Sequence, residues 1–225
     1  MKKAFVLAAL LFVAVSFVSQ STTHAVNNTL AERFAGGAPM GDSGVYNFDK
    51  AHSFIQFTVN HSGLTEVPGY FRDFSGSINF DASDVTKSTV EFTAKATSID
   101  TGVAPRDNHL RGKDFFEVDK YPDITFKSTK VEKKGKGYLL TGDFTMKGVT
   151  KSISFPFQIV GWQPADDRSG GRMGIAAETM INRRDYGVNW GSNLPNGVPA
   201  VSDTVKISLQ IDAGKAKAAT APKTE

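Results

Sequence analysis

The chain has 225 residues and carries 26 Lys and Arg against 23 Asp and Glu, with no cysteine. The lack of cysteine excludes a disulfide framework, a cysteine-ligated metal site and a cysteine nucleophile. Phenylalanine is the unusual residue, with 17 copies against 2 Trp and 5 Tyr.

Residues 1–25 have the layout of a cleaved secretory signal peptide. Lys2 and Lys3 precede an uncharged apolar run at 4–18, and small polar residues then lead to Ala25. A membrane anchor is the alternative, but the run is short for a span that needs about 20 residues. Loss of Lys2 and Lys3 brings the net charge of +3 closer to zero, which argues against a nucleic-acid partner. The sequence therefore predicts export to the periplasm of a Gram-negative bacterium, without a transmembrane span.

Three segments follow in the exported chain. The stretch 26–44 is rich in small residues and predicts a flexible leader. Residues 45–212 have an even composition and predict a single domain. The last stretch, 213–225, is an Ala/Lys/Thr/Pro sequence that predicts a disordered tail.

Alternation of apolar and polar residues with period two dominates the domain and predicts β-strands. The eight alternating segments are 55–61, 74–80, 90–96, 124–127, 138–147, 153–159, 172–181 and 205–212. A ninth, short strand fits at 45–49. A turn is predicted at 63–69, which contains Pro68, and short helical turns are predicted at 108–116 and 182–187.

Strands joined by short turns predict an antiparallel meander. Each strand has one apolar face, which a sandwich or a closed barrel would bury. Eight long strands in meander order favour an all-β fold, an eight-stranded antiparallel up-and-down barrel with one or two short helical turns. A transmembrane barrel shares the alternation, but these strands lack girdles of Tyr and Trp at their ends.

His61 is the histidine best placed to meet a ligand, because it continues the apolar face formed by Ile55, Phe57 and Val59. His52 lies an odd number of residues before it, so the two side chains face opposite sides of a regular strand. A shared metal site is therefore not expected. The plainer interpretation of each histidine is a side chain that bonds backbone groups at a strand end.

The connection at 98–116 is too polar for a strand and too long for a tight turn, and long structured loops are often functional. It contains the candidate residues Asp100, Arg106 and His109. Asp, Arg and His together suggest general acid–base chemistry. The alternative is an Arg–Asp network that holds the loop over one barrel end, with Leu110 and the phenylalanines at 115–116 as an apolar plug.

Several strings in this domain occur together in one known family. They are 52–61 (HSFIQFTVNH), 69–71, 74–81 (FSGSINFD), 98–102, 106–111 (RDNHLR), 115–116, 121–129 (YPDITFKST) and 141–151 (TGDFTMKGVTK). In this order they resemble the YceI-like family of periplasmic polyisoprenoid-binding proteins, over about residues 45–212. The resemblance implies a lipocalin-like barrel with an elongated apolar cavity for an isoprenoid chain, such as a quinone or prenyl lipid tail. The family has no established catalytic residues.

Candidate ligand-binding residues lie on the apolar strand faces and in the 98–116 connection. They are Ile55, Phe57, Val59, His61, Phe71, Phe74, Ile78, Phe80, Phe92, Asp100, Arg106, His109, Phe126, Phe144, Phe155 and Phe157. Those predicted to form a polar mouth are His61, Asp100, Arg106 and His109. Those predicted with most weight to point inward are Phe57, Phe74, Phe92, Phe144 and Phe155. No metal ligand, cofactor or catalytic residue is assigned.

These observations predict a soluble periplasmic protein that sequesters or carries a polyisoprenoid or a similar long-chain, fatty amphiphile, and not an enzyme. One alternative is an enzyme that acts on an isoprenoid lipid. The other is a stress-related interaction protein in which the phenylalanines fill a solid core. The sequence leaves a homodimer open.

Overall fold

A computed structural model describes residues 41–166 and 170–215 of the chain. The predicted signal peptide lies outside the described residues, as do 26–40 of the predicted leader and 216–225 of the predicted tail. Within the described ranges, no helix has the length and apolar character needed to cross a membrane.

The described strands form one antiparallel, 11-stranded sheet. They are β1 (Gly44–Phe48), β2 (Phe54–His61), β3 (Thr65–Phe71), β4 (Phe74–Phe80), β5 (Thr89–Lys95), β6 (Ile99–Asp100), β7 (Asp123–Lys134), β8 (Gly137–Met146), β9 (Val149–Gln163), β10 (Arg172–Asn182) and β11 (Val201–Lys215). The helical elements are α1 (Ala104–Arg111) and short 3₁₀ turns at Val85–Lys87, Ala96–Ser98 and Arg183–Tyr186.

These strands occupy eight positions around a closed barrel. β1 and β2 both pair with β11. On their other sides, β1 pairs with β4 and β2 pairs with β3. Next in order, β4 pairs with β5 and β3 pairs with β6. Each of the three couples β1 with β2, β4 with β3 and β5 with β6 is therefore one long strand in two pieces. β7 to β11 fill the other positions in chain order, and the pairing of β11 with β1 closes the ring. The predicted eight-stranded up-and-down barrel is confirmed.

The breaks within the three divided strands lie beside one another and are joined by hydrogen bonds. The N–H of Arg72 donates to the carbonyl of Ser98 at 3.1 Å, and the N–H of Lys95 donates to that of Asp73 at 2.8 Å. Lys50 Nζ, from the break between β1 and β2, donates to Asp73 Oδ1 at 2.6 Å. Because backbone groups at the breaks find partners here, the wall stays closed at this level.

β3 lies where the sequence predicted a turn at 63–69, and that prediction is wrong for most of the segment. The strand begins at Thr65. Pro68 suggested a turn because proline cannot donate to a ladder. In the structure β6 reaches only Tyr70 and Phe71, so Pro68 lies on a free edge of β3, where proline is tolerated.

The short helices fit the prediction unevenly. The turn predicted at 182–187 is confirmed as the 3₁₀ turn Arg183–Tyr186. The helix predicted at 108–116 instead begins at Ala104. Pro105 lies in its first turn, where the fixed φ of proline favours a helix and its missing N–H is not needed.

β11 extends beyond the predicted domain end at residue 212. Ala213, Gly214 and Lys215 pair with β1, and Ala213 is fully buried. These residues belong to the wall of the barrel because β1 needs a partner on that side to close the ring.

Candidate ligand-binding cavity

The barrel encloses a cavity of about 350 Å³ that is lined almost entirely by apolar side chains. Alternate residues of β10 from Met173 to Ile181, and of β11 from Val205 to Ile211, face it. At a rise of about 3.3 Å per residue, the lined part of β10 alone is roughly 25 Å long. The cavity is therefore elongated along the strands, and the phenylalanines line a space and do not fill a solid core.

Most of the residues predicted to bind a ligand face this cavity. They are Ile55, Phe57, Val59, His61, Phe71, Ile78, Phe80, Phe92, Arg106, His109, Phe126, Phe144, Phe155 and Phe157. Their position follows from strand parity, because alternate residues of a strand share one face. Their contact with a ligand stays a prediction.

Phe74 and Asp100 do not line the cavity, which corrects their predicted places. Phe74 lies on the predicted inward face, since its ladder partner Ala94 lines the cavity, but it is buried in the core at 4% exposure and does not reach the space itself. Asp100 follows the fully buried Ile99 in β6, so its side chain points outward. Its carboxylate accepts hydrogen bonds from Gly102 N and Arg72 Nε, both at 2.9 Å, and these bonds lower its pKa.

Glycines make room for two of the inward phenylalanines. A Cβ at Gly69 would overlap the ring of Phe57, and a Cβ at Gly76 would overlap the ring of Phe48. Phe48 was not among the predicted lining residues, although it lies on the inward face of β1 and its ring stacks on Phe92 with 6.4 Å between centroids. The sequence signal for Phe48 was weak because β1 is only five residues long.

The polar lining residues gather mainly at one end of the cavity, which we call the mouth. It is lined by His61, Thr101, Arg106, His109 and Arg183. Of these, Thr101 and Arg183 were not predicted, because neither lies in a strand that alternates clearly. The pattern gives the cavity one polar end and a long apolar remainder.

The segment 98–116 covers the mouth through an Arg–Asp–Thr network, as one of its two predicted interpretations proposed. Asp107 is 6% exposed and accepts hydrogen bonds from Thr101 N at 2.9 Å and from Thr101 Oγ1 at 2.5 Å. Arg106 Nε donates to Thr101 Oγ1 at 2.7 Å. Arg111 Nη2 donates to the carbonyl of Ile99 at 2.8 Å. These bonds fix α1 to the end of β6.

Aromatic rings pack around His109 of α1. The ring of His109 stands edge-on to Phe115, with centroids 5.1 Å apart, and to Trp190, with centroids 5.4 Å apart. His109 Nε2 lies 2.9 Å from a carboxylate oxygen of Asp114. Trp190 is 39% exposed and also lines the cavity. This cluster therefore connects the cavity to the surface, and its signal in the sequence was poor because Trp190 follows no periodic pattern.

Arg183 is a buried cation with protein partners. It is 4% exposed, and burial lowers its pKa. Its guanidinium donates to the carbonyls of Val188 at 2.8 Å and Ser202 at 3.0 Å, and to Asp203 Oδ1 at 3.0 Å. Because these acceptors occupy its nitrogens, Arg183 fastens the segment after β10 to β11 and has little capacity left for a ligand.

A second charged cluster joins the break between β1 and β2 to the ends of β10 and β11. Asp49, His52 and Asp212 bring one ligand atom each within 4.8 Å of one another. The guanidinium of Arg172 lies among them, bonded to Asp49 and at 2.9 Å from Asp212. Hydrogen bonds from His52 and Arg172 hold the pKa of Asp49 well below its usual value. Arg172 supplies the positive charge that a metal ion would bring, so the cluster is an ion-pair network.

The sequence between β1 and the end of β11 matches a known family. Residues 46–213 fit the model of the YceI-like domain. The chain belongs to the YceI-like family. A UPF0312 protein of Serratia proteamaculans is 35% identical over 185 residues, which are 81% of this chain and 91% of that protein.

Solved structures share the YceI-like barrel. The Campylobacter jejuni YceI protein is 30% identical, with a TM-score of 0.61 over 70% of this chain and 90% of that one. A polyisoprenoid-binding domain from Saccharophagus degradans is 15% identical, with a TM-score of 0.55 over 77% of this chain and 99% of that one. The second likeness concerns the fold alone.

Proposed function

We propose that this YceI-like barrel is a periplasmic binding protein that sequesters or carries a polyisoprenoid, such as the tail of a quinone or prenyl lipid. The observation that carries the proposal is the elongated apolar cavity with most of its polar groups at one end. Such a space matches an amphiphile with a long branched tail and a small polar head. The polyisoprenoid-binding domain with the same fold supports this ligand class.

Burial of a hydrocarbon tail provides ample binding free energy. Each CH₂-sized group removed from water contributes about 0.8 kcal/mol. Two five-carbon isoprene units therefore contribute roughly 8 kcal/mol, before the entropy lost on binding is subtracted. The lining offers few hydrogen-bonding partners to a tail, so selection acts on length and branching, and the head group is selected only at the mouth.

A binding role accounts for the mouth better than an enzymatic one. His109 contacts Asp114 and two aromatic rings, and Arg106 donates to Thr101. Groups held in this way position α1, and the arrangement lacks the nucleophile–base pair that acyl or phosphoryl transfer requires. A carrier returns its lipid chemically unchanged, so product analysis separates the two roles.

The periplasmic location rests on the predicted signal peptide at 1–25. The intact mass of protein isolated from the periplasmic fraction tests it. A mass that begins after Ala25 supports export and cleavage. A full-length mass, or recovery in the membrane fraction, contradicts them.

The ligand proposal is tested by organic extraction of detergent-free protein followed by mass spectrometry, with unfolded and refolded protein as the empty control. We expect a long-chain lipid in near-stoichiometric amount, with isoprenoid tails preferred. Ile207 lines the cavity, whereas its neighbour Lys206 lies outside and pairs with Glu178. Ile207→Gln should lower the lipid content several-fold, and Lys206→Gln should not. Extracts without lipid, together with no uptake of added prenyl lipid by refolded protein, would overturn the proposal.

A further inference from the structure

The wall of the barrel is incomplete between β9 and β10. These strands pair only from Phe157↔Ala177 to Gln163↔Arg172. The first half of β9, 149–156, and the second half of β10, 178–182, have no ladder between them, and we call this interval the seam. Each half still pairs with its other neighbour, β9 with β8 as far as Val149 and β10 with β11 as far as Asn182.

Proline accounts for the place where this ladder stops. Pro156 comes directly before Phe157, which in chain order is the first residue of β9 that pairs with β10. Proline has no N–H to donate to a neighbouring strand, so a ladder ends readily beside it. Pro156 keeps its place opposite Leu139 of β8. The interruption is therefore on the β10 side of β9, and Pro156 in the sequence accounts for it.

Side chains of both strands line the cavity along the seam. Ile153 and Phe155 on one edge, and Thr179 and Ile181 on the other, line the cavity. Phe155 and Ile181 are 5% and 8% exposed, so the apolar side chains along the seam are shielded from water. Parting the two edges would break none of the β9–β10 ladder pairs, because that ladder ends at Phe157 and Ala177.

The seam has a fixed limit at each end. At one end the ladder resumes at Phe157 and Ala177. At the other, Lys151 and Asp185 form an exposed ion pair at 3.4 Å, and Lys147 Nζ donates to the carbonyl of Gly187 at 3.1 Å. These contacts and the resumed ladder bound the seam on both sides.

An exposed apolar side chain lies on the outer side of the seam. Met180, between the inward-facing Thr179 and Ile181, is 69% exposed. A hydrocarbon chain that leaves the cavity between the strands would meet this thioether before it meets water. Neighbouring strands also do not pair along the free edge of β3 before Tyr70 and between β6 and β7, where α1 is bound to β6 by the hydrogen bond from Arg111 to the carbonyl of Ile99.

We infer that the seam is a lateral passage through which an isoprenoid tail enters and leaves the cavity. This inference rests on the proposed function. A branched tail that passes sideways between β9 and β10 does not have to thread lengthwise past α1 and the aromatic cluster at the mouth. The polar head can then stay at the mouth while the tail moves, so the head never has to cross the apolar wall.

The test uses a chemical bridge across the seam. If the ladder continued, Ser154 would lie opposite Met180, and both side chains are exposed. The chain has no cysteine, so Ser154→Cys with Met180→Cys can be joined specifically by a short bismaleimide. Ser154→Cys with Thr141→Cys is the matched control, because those two hydroxyls lie 2.7 Å apart across the intact β8–β9 ladder.

The readout is the transfer of geranylgeraniol carrying a fluorescent nitrobenzoxadiazole tag from the protein to phosphatidylcholine vesicles. We expect the seam bridge to slow transfer at least about tenfold, and the control bridge to leave it within about twofold of wild type. Before bridging, both variants should transfer as wild type does. Equal rates after both bridges would overturn the passage while leaving the proposed function intact. Failure of unbridged wild-type protein to take up the probe would overturn both.

Hydrogen exchange of wild-type protein provides a second measurement that does not depend on the variants. Amides of 149–156 and 178–182 that face the seam should exchange at least about tenfold faster than the laddered amides at 158–161 and 173–176, because no partner strand protects them. Added lipid should slow the seam amides. Equal protection of the two groups without lipid would overturn the inference.

Discussion

The two ends of the cavity are closed by different parts of the chain. The far end is closed by strand residues, with Tyr46 fully buried and its ring edge-on to Phe80 at 6.2 Å. The mouth is covered by α1 and by Trp190, segments that lie between strands. Most strand residues are held by ladders on both sides, whereas the mouth is held by side-chain hydrogen bonds. The ladders at the far end and along the wall therefore support the fold, and we expect ligand traffic to be controlled where ladders are absent.

The largest expected effect is on the inward face of the wall. Phe92→Asp places a carboxylate in the apolar cavity and removes the ring that stacks on Phe48. We expect the free energy of unfolding to fall by roughly 3 kcal/mol or more. Glu91→Ala, one residue away, removes only an exposed ion pair with Lys127, and should change it by less than about 0.5 kcal/mol. Urea unfolding followed by circular dichroism measures both, and similar losses would contradict the assignment of faces.

A smaller loss of stability is expected where a glycine leaves room for the ring of a phenylalanine. Gly76→Ala would force its Cβ into the ring of Phe48, and overpacking of this kind costs roughly 1–3 kcal/mol. Gly161→Ala is the control, because its new Cβ meets nothing within 4 Å. Thermal unfolding of both variants provides the comparison. A Gly76→Ala variant as stable as Gly161→Ala would mean that Phe48 repacks freely.

The ion-pair network at the strand break should depend on pH. The pKa of Asp49 is depressed by His52 and Arg172, so its contribution to stability is complete above the unfolded-state value of about 3.9 and is lost as the pH falls below it. Asp49→Asn should therefore be less stable than wild type at neutral pH, and the gap should narrow below about pH 4. Urea unfolding at several pH values measures it. A gap that is constant with pH would show that the carboxylate charge does not matter.

The smallest effect on stability is expected at the mouth. Trp190→Ala removes a partly exposed ring that packs on His109 and Phe115, and should lower the free energy of unfolding by only about 1 kcal/mol. Because the tail is inferred to leave through the seam, the release rate of bound prenyl lipid should stay within about twofold of wild type. Phe92→Asp should disturb both properties together. If Trp190→Ala destabilises as much as Phe92→Asp, the two ends do not differ as described.

The sequence predicted correctly those parts of the molecule in which period-two alternation is enough to identify a strand and its inward face. Ile78 and Phe80 in β4, and Phe144 in β8, line the cavity because an apolar face that alternates has only one side to turn inward. β3 was missed because Pro68 argues against a strand unless its free edge is known. Such an edge is a property of the assembled sheet, and no local pattern reveals it.

The mouth was predicted in part, for the same reason. Arg106 and His109 were predicted because they lie in the polar, charged connection 98–116, and they do line the cavity. Trp190 comes from a segment without periodicity that reaches the mouth only when β10 and β11 bring it there. Asp100 was misplaced because its membership of the two-residue strand β6 depends on pairing with Tyr70. Long-range pairing decides these positions, so a single sequence cannot reveal them.

The uneven distribution of polar groups along the cavity fixes the direction in which an amphiphile lies. A head group that needs hydrogen bonds finds several partners beside His61 and Arg106, whereas the far end near Phe80 offers only the hydroxyl of Ser88, which already accepts from the N–H of Asp81. Every bound molecule would therefore have the same polarity with respect to the barrel axis. An enzyme or redox partner that approached the mouth would meet the reactive head first, and could modify it while the tail stayed shielded from water.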